Sequence, residues 1–407
     1  MRKLCVTAML VLLLLGTAPP VFQERKASGA KAEGQLSPVV AGNTAFAIDL
    51  YHQLRKQEGN LICSPINVSA ALTMAHLGAR GQTAADMAAV LHLPTDRENV
   101  HKEMGDLFGE LRRRKKVTLK FANALWGQIG YPLVPAFLLK LKTDYGAEFH
   151  RADFIIARAL ARRAINRWGA KHTNNRIKEC MPPGMLDRET GLVLASAIYF
   201  KGKWVTRFQE DWTEDAPFHL SKDKTVMVPM MGTTEAAFRA VATPEFQAVE
   251  LPYRGREISM VIFLPNEVDG LSALEEKLTP HNLTKCLDGL AATNLQIWMP
   301  RFSIRSQLAL DGPLKDMGMG RAYDRGRADF SGITPSKEPF FIQHVVQSAF
   351  IEVDEKGTEA GAITTVSFGC AAHASPVFCA DHPFLYLIRD NKTGSILFLG
   401  RVVNPNG

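Results

Sequence analysis

The chain has 407 residues, of which 46% are hydrophobic and 22% are charged. This composition is typical of a globular protein and excludes a largely disordered or fibrous one. The formal net charge of +7 is small for this length, so it permits a polyanionic partner without requiring one.

The N-terminus has the pattern of a secretory signal peptide. Arg2 and Lys3 precede an apolar run from Leu4 to Leu15, and the small residues 16–18 follow it. No later stretch reaches the roughly 18 apolar residues that a membrane helix needs. We therefore expect a secreted, extracellular protein that makes no membrane contact. Its expected parts are a signal peptide at 1–18, a flexible leader at 19–40 and one domain at 41–406.

Two helices are predicted at the start of this domain. A helical periodicity begins after Asn43, which we take as its N-cap, and ends before Gly59. A second helix begins at the Ser64-Pro65 pair and ends at Gly78. Its residues are almost uniformly apolar or small, which indicates a helix buried in the core.

Strands are predicted from the middle of the chain onward. Residues 192–200 and 258–264 are nearly continuous apolar runs, as expected for strands covered on both faces. Residues 384–389 and 395–403 form a predicted hairpin around a turn at 390–394. Because helices precede strands without a repeat or a linker, we predict one α+β domain.

Residues 358–375 depart from this pattern. The segment is rich in small and weakly polar residues, and a structureless loop of this length is uncommon unless it is functional. Its Thr, Val, Ile and Phe content also suits a β-strand. The segment is therefore compatible with both a loop and a strand.

Four segments in order resemble the serpin family, and the resemblance extends over about residues 42–405. They are residues 60–87, 194–208, 351–362 and 378–405. The resemblance implies a single serpin domain of the α+β class. In such a domain, helices surround a large central β-sheet and two smaller sheets, and a reactive loop, here about residues 355–378, is exposed.

The resemblance also implies a function. Serpins are suicide-substrate inhibitors: a protease cleaves the reactive loop, which then inserts into the central sheet as a new strand. We therefore expect a monomeric protein that is not an enzyme and whose partner is a serine endopeptidase. The implied activity needs no cofactor. The alternative is a non-inhibitory serpin that acts as a carrier or binding scaffold.

The composition of the hinge favours an inhibitory serpin over a non-inhibitory one. Gly357 permits a change of backbone direction, and small residues follow it without proline or bulky side chains. The hinge residues implied by the resemblance are Glu355, Gly357, Thr358, Glu359, Ala360, Gly361 and Ala362.

The family's spacing places the cleaved bond near the end of the loop. Counted from Gly357, the bond joins Ala371 and Ala372, whereas counted back from the His382-Pro383 pair it joins Cys370 and Ala371. Either position presents a small, uncharged side chain. We therefore expect a serine protease of elastase-like or subtilisin-like specificity, with a cysteine protease as the alternative.

Five cysteines follow the predicted signal peptide. We expect Cys63, Cys180 and Cys286 to be free thiols that are partly or fully buried. Cys370 and Cys379 flank the predicted bond, and a disulfide between them would tether the two cleaved ends. We therefore expect both to be unpaired in the active form and oxidation to block inhibition.

Other positions correspond to the family's shutter and breach, the regions through which the loop enters the sheet. The matching residues are Ser64, Ser69, Trp204, Ser196 and Gln347. At the last two positions the family usually has an Asn and a His that hydrogen-bond across the shutter. Ser and Gln are also able to pair as donor and acceptor, and the alternative is that the contact is lost.

A run of five cations is a candidate site for a heparin-like polyanion. It consists of Arg112, Arg113, Arg114, Lys115 and Lys116. Arg158, Arg162, Arg163 and Arg167 follow on a later helix. The alternative is a solvated turn between a helix and a strand. The sequence contains no G-x-S-x-G or H-E-x-x-H motif, so we expect no catalytic or metal site, and no nucleic-acid-binding module is recognised.

Overall fold

The computed structural model describes residues 36–358 and 376–407. Its α-helices are α1 (Pro38–Leu54), α2 (Pro65–Gly78), α3 (Gly81–Val90), α4 (Arg97–Leu111), α5 (Pro135–Tyr145), α6 (Arg158–His172), α7 (Leu271–Glu276), α8 (Pro280–Gly289) and α9 (Asp311–Leu314). Its strands are β1 (Leu61–Cys63), β2 (Val117–Gln128), β3 (Phe149–Ala152), β4 (Leu192–Lys203), β5 (Phe208–Ser221), β6 (Lys224–Thr233), β7 (Ala236–Ala242), β8 (Phe246–Pro252), β9 (Ile258–Pro265), β10 (Ala291–Pro300), β11 (Phe302–Ala309), β12 (Ile342–Asp354), β13 (Gly357–Thr358), β14 (Val377–Cys379), β15 (Phe384–Asp390) and β16 (Ile396–Val402). Several predictions fall outside the described residues. They are the signal peptide, the hinge residues Glu359, Ala360, Gly361 and Ala362, and the cleavage residues Cys370, Ala371 and Ala372.

The first helix begins earlier than the sequence pattern predicted. Ser37 is its N-cap, and the Ser37 hydroxyl accepts a hydrogen bond from the backbone N–H of Val40 at 3.3 Å. Pro38 occupies the first helical turn, where its missing N–H costs nothing. Asn43 is buried inside the helix, so the prediction that it is the N-cap is wrong. Because Val39 and Val40 are also buried, the folded domain already includes the last residues assigned to the leader.

The other predicted elements are confirmed to within a few residues. Helix α2 is buried along its whole length, as its uniform apolarity indicated. Strands β4 and β9 are almost entirely buried, and β15 and β16 form the predicted C-terminal hairpin.

A six-stranded sheet has the strand order β11-β12-β13-β4-β2-β3. Strands β12 and β4 run parallel and pair directly over residues 342–349 and 192–198. At their far ends β13 lies between them. Alternate side chains of β4 pack either into the cluster that contains α2 or into the one that contains α6, so the sheet is covered on both faces.

The remaining strands form one ten-stranded sheet. Strand β10 joins its two parts, because its first half pairs with β7 and its second half pairs with β6 and β14. The two smaller sheets that the resemblance implied are therefore continuous through β10.

Candidate functional site at the hinge and the sheet beneath it

The first residues of the predicted hinge form a short strand in the six-stranded sheet. Thr358 pairs with Val353 of β12 and with Gly202 of β4. Gly357 pairs with Asp354 of β12 and with Lys203 of β4. The segment therefore enters the sheet between β12 and β4, at the end where those strands no longer pair with each other.

Gly357 is required at this entry point for two reasons. Its φ of 153° lies in a region that side-chain-bearing residues rarely adopt. A Cβ atom at this position would lie 2.0 Å from the carbonyl oxygen of Gly202 on β4. Only glycine allows the backbones of β13 and β4 to approach this closely.

Thr358 is enclosed by aromatic residues. It is 2% exposed, and its hydroxyl lies 2.8 Å from the hydroxyl of Tyr253. The ring of Tyr253 stacks on Trp204 with a centroid separation of 4.4 Å. The indole N–H of Trp204 donates to the carbonyl of Asp354 at 2.9 Å. The predicted breach residue Trp204 thus supports the hinge, whereas the role of Tyr253 was not predicted.

Glu355 is held by charge and hydrogen bonds. Its carboxylate is buried, accepts a hydrogen bond from the Thr213 hydroxyl at 2.6 Å and forms an ion pair with Arg301. Its carbonyl accepts a hydrogen bond from the backbone N–H of Phe208 at 3.1 Å. These partners come from β5 and from the residue between β10 and β11. They fix the turn that precedes β13, and no local sequence signal indicated them.

Gln347 and Ser196 lie opposite each other in the parallel register of β12 and β4. No hydrogen bond joins their side chains among the described residues. Instead, the Gln347 amide bonds to the backbone of Ser64: its oxygen accepts from the N–H and its nitrogen donates to the carbonyl, both at 2.8 Å. The predicted Ser196–Gln347 pair is therefore wrong, because the longer Gln side chain reaches the start of α2.

Ser196 also binds α2 rather than the neighbouring strand. Its hydroxyl accepts a hydrogen bond from the side-chain amide of Asn67 at 2.8 Å, and the same amide donates to the Ala197 carbonyl at 3.0 Å. Ser64 donates its hydroxyl to the carbonyl of Leu397 at 2.6 Å. The Ser69 hydroxyl is buried and has no hydrogen-bond partner in the described part of the chain. Helix α2 thus holds both strands that border β13.

One of the five cations of the predicted polyanion site is not available at the surface. Arg112–Lys116 form the turn between α4 and β2, as the alternative interpretation proposed. The side chain of Arg114 is only 5% exposed, and its guanidinium pairs with Asp390, with an N–O distance of 2.9 Å, and with Glu110. The structure therefore removes Arg114 from the candidate site and leaves Arg112, Arg113, Lys115 and Lys116 exposed.

The cysteines divide into two groups. Cys63 and Cys180 are buried free thiols and Cys286 is a partly buried one, as expected. Burial raises the pKa of Cys63 to about 12 and the pKa values of Cys180 and Cys286 to about 11, so all three are poor nucleophiles at neutral pH. Cys379 is disulfide-bonded in this structure. The expectation that it is unpaired is not met here, and the effect of oxidation on inhibition stays a prediction.

Comparison with known proteins gives a consistent result. The family model described as "Serpin (serine protease inhibitor)" matches residues 41–405. The leukocyte elastase inhibitor of Homo sapiens is 37% identical over 377 residues, which cover 90% of this chain and 99% of that protein.

Solved structures match with similar coverage. Serpin48, described as a highly specific serpin of the insect Tenebrio molitor, has a TM-score of 0.81 at 28% identity and covers 90% of this chain and 98% of its own. Thyroxine-binding globulin in complex with thyroxine has a TM-score of 0.83 at 27% identity and covers 91% of this chain and 100% of its own.

Proposed function

The chain belongs to the serpin family, and we propose that it is a secreted inhibitor that traps serine proteases by inserting its cleaved loop into the six-stranded sheet. Serpins are protease inhibitors rather than enzymes, and relatives such as the leukocyte elastase inhibitor of Homo sapiens are named as inhibitors. The observation that carries the proposal is the position of β13. Two hinge residues already lie between β12 and β4, so further insertion would extend an existing strand.

Extension of β13 requires β12 and β4 to separate along their direct pairing at 342–349 and 192–198. The buried residues that line this pairing include Ala195 and Ala197 on β4 and Ala349 on β12. Small side chains leave room for an added strand. About 14 inserted residues, at roughly 3.3 Å each, would carry a protease attached to the loop about 45 Å from its starting position. Displacement over such a distance would distort the acyl-enzyme before water releases it.

The target is proposed from the residues of the loop. The small side chains at Cys370, Ala371 and Ala372 suit a serine protease with a shallow specificity pocket. One relative is named for inhibition of leukocyte elastase, which supports an elastase-like target. Subtilisin-like and cysteine proteases remain the alternatives to be compared in the same assay.

Secretion is proposed from the signal-like pattern of residues 1–18. A polyanion that accelerates inhibition is proposed from the four exposed cations of the turn, Arg112, Arg113, Lys115 and Lys116. Acceleration of this kind should weaken as the salt concentration rises, because salt screens exposed charges.

The proposal is tested by incubation with an elastase-type serine protease, followed by denaturing electrophoresis. We expect a band that survives denaturation at the summed mass of the protein and the protease. Mass spectrometry of the released C-terminal peptide distinguishes cleavage after Ala371 from cleavage after Cys370. Clean cleavage with full recovery of protease activity would contradict the proposal.

A carrier function is the second candidate, and one cavity favours it. An apolar cavity of about 470 Å³ lies between α7, α8 and the ten-stranded sheet, and its lining includes Phe246, Phe263, Leu274 and Leu283. This volume lies within the range of small-molecule sites. One structural relative is thyroxine-binding globulin. Clean cleavage in the electrophoresis experiment, together with binding of an apolar ligand here, would favour this candidate.

A further inference from the structure

A second cavity, of about 550 Å³, lies beside the six-stranded sheet. Residues of α2, α4, α5, β2, β3 and α6, and of the turns that follow α4 and α5, line it, and none of them belongs to the hinge. Strand β3 pairs with β2 only over residues 125–128, so Phe121–Asn123 form part of the cavity wall at an edge that β3 does not cover. A cavity of this size is suited to a small organic molecule.

The walls of this cavity are aromatic. The ring of Trp126 stacks on His150 with a centroid separation of 4.4 Å and an interplanar angle of 26°. The rings of Trp168 and His172 lie 5.1 Å apart. The indole N–H of Trp126 is buried and has no hydrogen-bond partner among the residues that the structure describes. Flat aromatic ligands pack well against such rings. A small movement of the Trp126 side chain would allow its indole N–H to donate a hydrogen bond to an acceptor on the ligand.

Cations dominate the polar part of the lining. Arg112, Arg167 and Lys171 are all exposed to solvent at the cavity, and none forms an ion pair with a described carboxylate. The guanidinium of Arg112 donates one hydrogen bond among the described residues, to the carbonyl of Tyr145 at 3.4 Å, and partial desolvation lowers the pKa of this side chain. Glu148 is the single carboxylate among the described lining residues, so the lining carries a net positive charge.

We propose that this cavity binds a small aromatic anion, such as an aryl sulfonate or an aryl carboxylate. Its rings lie between Trp126 and Trp168, and its acid group faces Arg112, Arg167 and Lys171. An aromatic ring system packs against the aromatic walls, and an anionic group pairs with the three cations. A neutral aromatic ligand makes only the first of these contacts. This proposal does not rest on the proposed trapping of a protease, because the site shares no residue with the hinge or with the Ser64–Gln347 contact.

The probe for this site is 1-naphthalenesulfonate, and binding is measured by calorimetry on the full chain. The test variant combines Arg167→Gln with Lys171→Gln. The matched control is Arg163→Gln, since Arg163 is exposed on the same helix but does not line the cavity. All three positions are exposed, so we expect each variant to fold, and thermal unfolding verifies this. Neutral 1-naphthol serves as the probe without a charge.

We expect wild-type protein to bind 1-naphthalenesulfonate and the double variant to bind it about tenfold more weakly, because each exposed ion pair contributes up to about a factor of five. The control variant should bind as wild type does, and 1-naphthol should bind more weakly than the sulfonate. Absence of binding up to about 1 mM, equal affinity in the double variant, or an equal loss in Arg163→Gln would each overturn the proposal.

Discussion

The side-chain amide of Gln347 holds both backbone groups of Ser64, with two hydrogen bonds of 2.8 Å. Gln347 is buried on β12, and Ser64 precedes the first turn of α2. This single side chain therefore connects a strand that borders β13 to the helix that packs against the sheet. Separation of β12 from β4 either breaks these bonds or moves α2 with the strand.

Replacement of Gln347 by Met keeps the approximate volume but leaves the backbone N–H of Ser64 without its partner, whereas the Ser64 carbonyl keeps its hydrogen bond from the N–H of Val68 at 3.1 Å. One unsatisfied buried donor costs about 1–3 kcal/mol, so we expect a lower free energy of unfolding. Urea unfolding followed by tryptophan fluorescence measures it. The control is Gln343→Met on the same strand, where Gln343 contacts Asp187 at the surface and the change should stay within about 0.5 kcal/mol. Equal effects of the two substitutions would contradict the assigned contact.

Arg114 and Arg113 are neighbours with different predicted roles. The carboxylate of Asp390 is fully buried, so Arg114→Ala leaves it without its cation and should destabilise the fold by about 3 kcal/mol or more. Arg113→Ala should leave stability unchanged and reduce only acceleration by a sulfated polysaccharide. Thermal unfolding and inhibition rates with and without the polyanion separate the two effects. A stable Arg114→Ala protein with reduced polyanion response would show that Arg114 belongs to the surface site after all.

The imidazole of His382 gives a pH dependence with a defined sign. Burial alone lowers its pKa, but hydrogen bonds to the Asp381 carboxylate and the Pro265 carbonyl, both at 2.7 Å, outweigh burial and raise the net pKa. The protonated form therefore stabilises the folded state below the unfolded pKa of about 6.5, and this contribution is lost as the pH rises through the higher folded pKa.

Accordingly, the part of the unfolding free energy that depends on His382 should fall as the pH rises above the unfolded pKa of about 6.5. His382→Gln should remove this part of the pH dependence, whereas His281→Gln, at an exposed position on α8, should preserve it. The comparison is made by urea unfolding at each pH. Identical pH profiles for wild type and His382→Gln would contradict the assignment.

The sequence predicted periodic and buried elements well, because their patterns are local. The uniform apolarity of α2 and the continuous apolar run of β4 were sufficient to identify both. The partners of Gln347 and Glu355 were not predictable, because Ser64, Thr213 and Arg301 lie between 54 and 283 positions away along the chain.

Two errors had identifiable physical causes. The Asn43 N-cap was preferred because Asn is a common cap, yet Ser37 followed by Pro38 is an equally good signal and lies before two buried valines. Arg114 was grouped with its neighbours by charge alone. Only the fold brings Asp390 of the C-terminal hairpin close to Arg114. Because a buried carboxylate without a cation is costly, Asp390 pairs with Arg114, and this arginine is no longer available at the surface.

The most direct test of loop insertion is the yield of denaturation-resistant complex for Thr358→Arg compared with wild type and with Thr358→Ser. Thr358 is 2% exposed beside the Tyr253 hydroxyl, so serine preserves the contact, whereas arginine places an unpaired charge between β12 and β4, where the inserted strand has to continue. We expect wild type and Thr358→Ser to trap an elastase-type protease, and Thr358→Arg to be mainly cleaved, with a complex yield lower by about tenfold or more. An undiminished complex yield with Thr358→Arg would show that trapping does not depend on insertion of the hinge between β12 and β4.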